Sequence, residues 1–220
     1  MRIHPWILLF CVSAAHAIEP YSCRNGLFPR AAGTVSAAVV SATDKVPFRD
    51  DAEGCPQAAS CVRKAYLVKG DAVLVSSSES GWSCAWYFGR AREFVGWLPS
   101  DALAALPAAM PSPSDWIGTW VPIAGGQSIR IAAGRGTALE LSGEAQWRGG
   151  RDEAGEPVVH AGSFRGSAAP AGDRLTLDAD DGKSGCVVRM QLVWHSLVVS
   201  DNALCGGVNV RFDNVYRRRP

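Results

Sequence analysis

The sequence predicts an all-β protein built from two small antiparallel barrels joined by an Ala/Pro-rich linker. Three observations predict it. The 220 residues include 23 glycines and 13 prolines, a composition that suits turn-rich β structure better than long helices. Short runs with apolar residues at alternate positions recur between Gly, Asp and Asn turn signals. Finally, the stretch 103–115 (LAALPAAMPSPSD) divides those runs into two groups. Its prolines, Pro107, Pro111 and Pro113, block a continuous helix and favour an extended, semi-rigid spacer. The expected plan is therefore a first barrel over 20–106, a linker over 107–113 and a second barrel over 114–217. A hydrophobic content of 47% is enough for folded cores. With 22 basic and 21 acidic residues the formal charge is +1, which leaves no basic field for nucleic acid.

Residues 1–17 read as a secretory signal. Arg2 supplies the positive start, Trp6 to Ala15 is an apolar stretch too short to span a bilayer, and Ala15-His16-Ala17 is a small-x-small cleavage site. Cleavage is expected after Ala17. No later apolar run approaches the ~18 residues of a membrane span. Of the seven cysteines, Cys11 would leave with the signal, and Cys23, Cys55, Cys61, Cys84, Cys186 and Cys205 remain. An even number behind a signal implies disulfides in an oxidising compartment, periplasmic or extracellular. Irregular spacings and the lack of a C-x-x-C pair argue against zinc. Cys186 is expected to pair with Cys205. The other four allow three connectivities, which sequence does not choose between.

In the first barrel, strands are expected over 34–40, 65–68, 72–75, 82–88 and 94–98. Gly70-Asp71 turns between the second and third, and a turn of helix is expected between Ser100 and Leu106. Alternation puts Trp82, Cys84, Trp86 and Phe88 on one face, with Ser83, Ala85 and Tyr87 on the other. In the second barrel, strands are expected over 117–123, 128–132, 138–142, 145–148, 158–164, 174–177, 186–193, 197–200 and 208–217. Gly-Gly and Asp-Gly steps turn between several of them. Eight or nine sequential strands fit an up-and-down barrel, which removes sheet edges.

Within 34–103, Lys69-Gly70-Asp71-Ala72-Val73-Leu74-Val75, Gly81-Trp82-Ser83-Cys84 and Gly96-Trp97-Leu98-Pro99 with Asp101-Ala102-Leu103 follow one another in an order that resembles bacterial SH3-like domains. The resemblance implies a small barrel that contacts cell-wall peptides or a protein partner. The segment Cys55 to Cys61 departs from that family where its long first loop would form one wall of a groove. In the second half, Trp116-x-Gly118-x-Trp120 and Phe212-x-x-x-Tyr216-Arg217 resemble lipocalin-type barrels. That resemblance implies that Trp120 plugs the barrel base and that Arg211 or Arg217 packs over it. Large residues at Trp116, Trp120, Trp147 and Trp194 are expected to fill the interior.

Candidate chemistry is sparse. His160 and His195 would bind metal only with a third ligand, and two unrelated histidines is the simpler reading. Asp178, Asp180 and Asp181 beside Gly182 lack the later ligands of a calcium loop and read as a solvated turn. No metal or cofactor is expected, and no nucleophile motif is present. Aromatic rows on adjacent strands, Trp82, Trp86, Tyr87 and Trp97, can stack on sugars or peptides. Tyr87 and Trp97 are the expected exposed pair, with Trp82 beside them. Asp50 and Asp51 form an acidic run with Glu53 in the first long loop that could meet a basic or amide-bearing ligand. The segment 201–209, with Asp201, Asn202 and Asn209 around Gly206-Gly207, is either a clamped recognition loop or a structural corner. The basic tail Arg217-Arg218-Arg219 offers only weak, screened attraction to anionic surfaces.

These features point to a non-enzymatic secreted or periplasmic binding protein. Its expected partner is cell-wall peptide in peptidoglycan, or an envelope protein; neither nucleic acid nor an integral membrane span is expected. Three alternatives stand beside it. One is an inhibitor or immunity protein that blocks a wall hydrolase or secreted toxin with the 201–209 or 55–61 loop. Another is a carrier of small apolar ligands built on the second barrel. The last is a hydrolase using both histidines and an acid.

Overall fold

The computed structural model describes residues 22–23, 28, 34–89 and 92–220, apart from the side chain of Asp181. The expected signal, 1–17, lies outside them. The chain is all-β, with two antiparallel sheets. The first contains β1 (Ser36–Val40), β2 (Val46–Arg49), β3 (Val62–Leu67), β4 (Ala72–Glu79), β5 (Trp82–Phe88), β6 (Glu93–Pro99) and β7 (Leu103–Ala105), in the order β3-β2-β6-β5-β4-β1-β7. β2 and β7 were not expected. Pro47 removes a donor from β2 and hides it from a propensity reading, yet Pro47 and Val46 pair with Tyr66 and Leu67. The expected helical turn is a short 3-10 turn, Ser100–Ala102, and the chain then extends so that Leu103–Ala105 pair with β1.

A four-residue helix, α1 (Pro113–Trp116), follows the proline-rich stretch. It starts at a capping box in which the Ser112 backbone N–H donates to Asp115 Oδ2 at 2.8 Å. The second sheet comprises β8 (Gly118–Pro122), β9 (Ser128–Ala133), β10 (Leu139–Arg151), β11 (Pro157–Ala168), β12 (Arg174–Asp178), β13 (Val187–Val193), β14 (Ser196–Asp201) and β15 (Asn214–Arg218). Its order, β11-β10-β9-β8-β15-β14-β13-β12, is an up-and-down path closed between first and last strands and open only between β11 and β12. Two expected strands, 138–142 and 145–148, are one. Gly143 does not break β10, because the Phe164 ring fills the space its side chain would take, 2.2 Å from an ideal Cβ. The expected strand over 208–217 is shortened to β15, because Asn209 takes φ 66° and the preceding residues fold as a loop.

The second barrel is filled, as its large residues lead one to expect, by Trp116, Trp120, Ile129, Leu139, Phe164, Phe212 and Tyr216. Trp147 only leans on this core, and Trp194 is not inside it at all. The cation over Trp120 is Arg218, 5.0 Å from the ring, not Arg211 or Arg217. Gly118 makes this possible. It takes φ 150°, and the Arg218 stem lies 3.1 Å from where a Cβ would project.

The two sheets are not held apart by the linker. Val193, Val198 and Val215, on the outer face of the second barrel, share a core with Phe28, Val35, Leu74, Trp86 and Trp97 of the first half. Burying such valines stabilises by about 1.5–3 kcal/mol each. Gln191 completes the joint like a strand partner. Its Oε1 accepts from Val35 N–H at 2.8 Å, and its Nε2 donates to Val35 C=O at 2.9 Å and to Asp173 at 2.7 Å. Arg174 also donates to Thr34 Oγ1.

Among the described residues three disulfides are formed. Cys186–Cys205 is the expected one, and the other four cysteines pair as Cys23–Cys84 and Cys55–Cys61. Such bonds place the protein in an oxidising, extracytoplasmic compartment. No described helix is long and apolar enough to cross a membrane.

Candidate interdomain cleft

The β13–β14 hairpin turns in two residues, since Val193 pairs with Ser196. The residues in that turn are Trp194 and His195. Two-residue hairpins prefer positive φ, normally supplied by Gly or Asn. Here Trp194 takes φ 55° and remains 51% exposed, its ring 4.8 Å from His195. A bulky side chain in the left-handed region carries a backbone cost of about 1–2 kcal/mol. Trp194 thus presents a half-exposed aromatic from a backbone conformation that bulky residues rarely adopt.

The hairpin tip divides two cavities beside the joint between the sheets. One, about 540 Å³, is lined by Asp71, Trp86, Tyr87 and Phe88 from the first sheet and by Trp194, His195, Arg217 and Arg218 from the second. The other, about 460 Å³, lies between Met110, Pro111, Trp120, Leu192, Arg218 and the same Trp194-His195 turn. Met110 is 84% exposed. Arg217 lies over the Phe88 ring at 5.9 Å, so the cation and the aromatic come from different sheets. Burial raises the Tyr87 phenol above its usual range, with Asp71 adding to the effect. Tyr87 is therefore a neutral donor at physiological pH. The cleft thus combines aromatic rings from both sheets, two guanidiniums, one carboxylate, one phenol and one imidazole, a set suited to a short peptide with apolar and carboxylate groups.

The other expected site residues divide sharply. Trp97 is not exposed: it is 2% accessible, and its Nε1 donates to Asp51 Oδ1 at 2.8 Å. The other Asp51 oxygen accepts the Cys23 backbone N–H at 2.6 Å. The pattern explains the error. In β6, Trp97 pairs with Cys84 and Arg49 and faces the joint between sheets, a core that period-two reasoning within one barrel does not reveal. Asp51 therefore ties Trp97 of β6 to the backbone at Cys23, and Asp50 lies 3.4 Å from Arg63. Trp82 is half-buried, with the Arg49 guanidinium 5.2 Å from its ring.

The 201–209 segment is a built corner. Asp201 accepts the backbone N–H groups of Ala203 and Phe212. Asn202 accepts from Val187 N–H at 3.1 Å and donates to Gly185 C=O at 2.7 Å. Gly206 bridges to Gly162 of β11, and Gly207 N–H donates to Ala161 C=O at 3.1 Å. The loop thereby covers part of the free edge that β11 presents beside the barrel opening. Its tips stay in solvent: Leu204, Val208 and Asn209 are exposed.

Among the described residues, His160 and His195 have no partner in common. His160 stacks near Trp147 at 5.2 Å with Nδ1 2.6 Å from Val208 O, while His195 sits in the cleft. Asp178 ends β12, and Ala179–Gly182 forms a 3-10 turn. Trp194, Phe88, Arg218 and His195 line this cleft, a placement that sequence reasoning missed. The available signal was a Trp-His step between two β-branched runs, where a turn would normally carry Gly or Asn. Compared with family models, curated proteins and solved structures, the chain matches none.

Proposed function

We propose that the protein is a secreted envelope protein that binds cell-wall peptide in the cleft between its two barrels and performs no catalysis. The reading is carried by Trp194, a half-exposed aromatic in a left-handed turn facing Tyr87 across a cavity that also contains Arg217 and Arg218. Aromatic faces hold the apolar part of a peptide, and guanidiniums take its carboxylate in bidentate fashion. The disulfides and the apolar first seventeen residues support export, with the periplasm as the expected compartment. The resemblance of 34–103 to SH3-like domains supports a wall ligand. The test is co-sedimentation of the oxidised protein with purified peptidoglycan sacculi. Wild type pellets, while Trp194→Ala and Tyr87→Ala stay in the supernatant with unchanged circular dichroism. If neither wild type nor variants pellet, the wall reading fails.

One observation favours a second reading, an inhibitor of a wall hydrolase. The corner clamped by Cys186–Cys205 holds Leu204 60% and Val208 70% exposed, and a rigid loop with apolar tips suits a cleft. Stoichiometric loss of a hydrolase's activity, abolished by Leu204→Asp, would select it over the first.

A further inference from the structure

A second charged feature lies on the other half of the second barrel, away from the joint. Antiparallel register sets Arg130 of β9 opposite Ser142 of β10, and Ser142 opposite Arg165 of β11. The three side chains therefore form one row across three strands on the outer face, with the two arginine backbones about 10 Å apart. They line two adjoining hollows of about 390 and 510 Å³. Among the described residues, neither guanidinium has an ion pair or a side-chain hydrogen bond. Two arginines without an ion pair, flanking a hydroxyl, form a fork for one oxyanion.

The same hollows also contain Glu140, Glu144 and Asp180. Three carboxylates against two guanidiniums exclude a polyanion, which would meet repulsion along the groove. Glu140 and Glu144 each stand two residues from Ser142 on β10, about 7 Å along the strand. The surface is therefore positive at its centre and negative at that distance on either side. The ligand it matches carries an oxyanion and a cation with a similar separation.

We propose that this groove is a binding site for the free carboxylate end of a peptide whose last residue has a cationic side chain. The carboxylate sits between Arg130 and Arg165 at Ser142, and the ammonium reaches Glu144 or Glu140. The site is separate from the interdomain cleft and does not rest on the function proposed for it.

The test is an amide ¹H–¹⁵N NMR titration of the oxidised full chain with three small probes. Nα-acetyl-lysine has both charges, its C-terminal amide has only the ammonium, and Nα-acetylnorleucine has only the carboxylate. The expected result is that Nα-acetyl-lysine shifts the signals of residues 130, 142 and 165 at millimolar concentration and that its amide does not. In the Arg130→Gln/Arg165→Gln variant, affinity falls about tenfold or more. Glu140→Gln or Glu144→Gln reduces the affinity for Nα-acetyl-lysine to that for Nα-acetylnorleucine. The same spectra report folding, and the wild-type amide arm decides the matter even if a variant unfolds. Equal binding of acid and amide, shifts confined to other surfaces, or a folded double variant that binds like wild type would overturn the proposal.

Discussion

Trp194 and Gly162 show opposite uses of a single position. Glycine at 194 would adopt φ 55° without the side-chain penalty and would lose only a half-exposed ring. Relief of the left-handed cost offsets much of the lost partial burial of the ring, so Trp194→Gly is expected to change stability by no more than about 1–2 kcal/mol, while sacculus binding disappears; urea denaturation and co-sedimentation on one preparation check both. Gly162 is fixed by contact. An ideal Cβ there would lie 2.5 Å from Cys205 O and 2.7 Å from Gly206 Cα, and both are backbone atoms that cannot move aside. Gly162→Ala is expected to destabilise by about 1–3 kcal/mol, seen as a lower urea midpoint. Neither role is visible locally. Gly162 reads as an ordinary glycine in an expected strand, and its partner is more than forty residues away in a loop.

At the scale of elements, period-two patterning and turn residues were enough for most strands and for the sequential path of the second barrel. They failed where a neighbour changed the meaning of a residue. Gly143 falls between two expected strands and is a packing site under Phe164; Pro47 lies where no strand was expected and is paired in β2. The cysteines were legible as disulfides, but the pairing of four of them depends on how β5 approaches the segment around Cys23, which no spacing encodes. Their contributions follow the chain they enclose, with separations of 61, 19 and 6 residues for Cys23–Cys84, Cys186–Cys205 and Cys55–Cys61. Chain entropy then assigns about 4, 3 and 2 kcal/mol to them in that order. Replacing each pair by serines and measuring chemical stability should reproduce that ranking. Loss of Cys186–Cys205 should also expose the β11 edge, read as faster amide exchange at Ala161 and Gly162.

Over the whole molecule, the feature least legible in the sequence is the joint. A linker of Ala and Pro implied a spacer, whereas Val193, Val198 and Val215 bury themselves against Trp86 and Leu74. These valines are outward-facing in their own barrel, so strand patterning treats them as excess hydrophobicity until the second surface is known. The joint also makes stability pH-dependent. Burial raises the Glu93 carboxyl above its ordinary value, partly offset by the Trp86 indole and Arg217. The folded state thus binds this proton more tightly than the unfolded one. The resulting stabilisation is complete below the unfolded value and is lost as pH rises through the folded one. Glu93→Gln should remove that loss, so that the variant gains thermal stability relative to wild type between acidic and neutral pH. A gap between them that shrinks as pH rises would contradict the assignment.

The central claim is that ligand binds between the barrels, around Trp194. Hydrogen exchange with soluble peptide fragments of the wall tests it most directly. The account predicts slowed exchange on binding at 71–74, 86–88 and 194–196, from both sheets together. Slowed exchange confined to the first sheet, or found only at 201–209 with a hydrolase present, would contradict it.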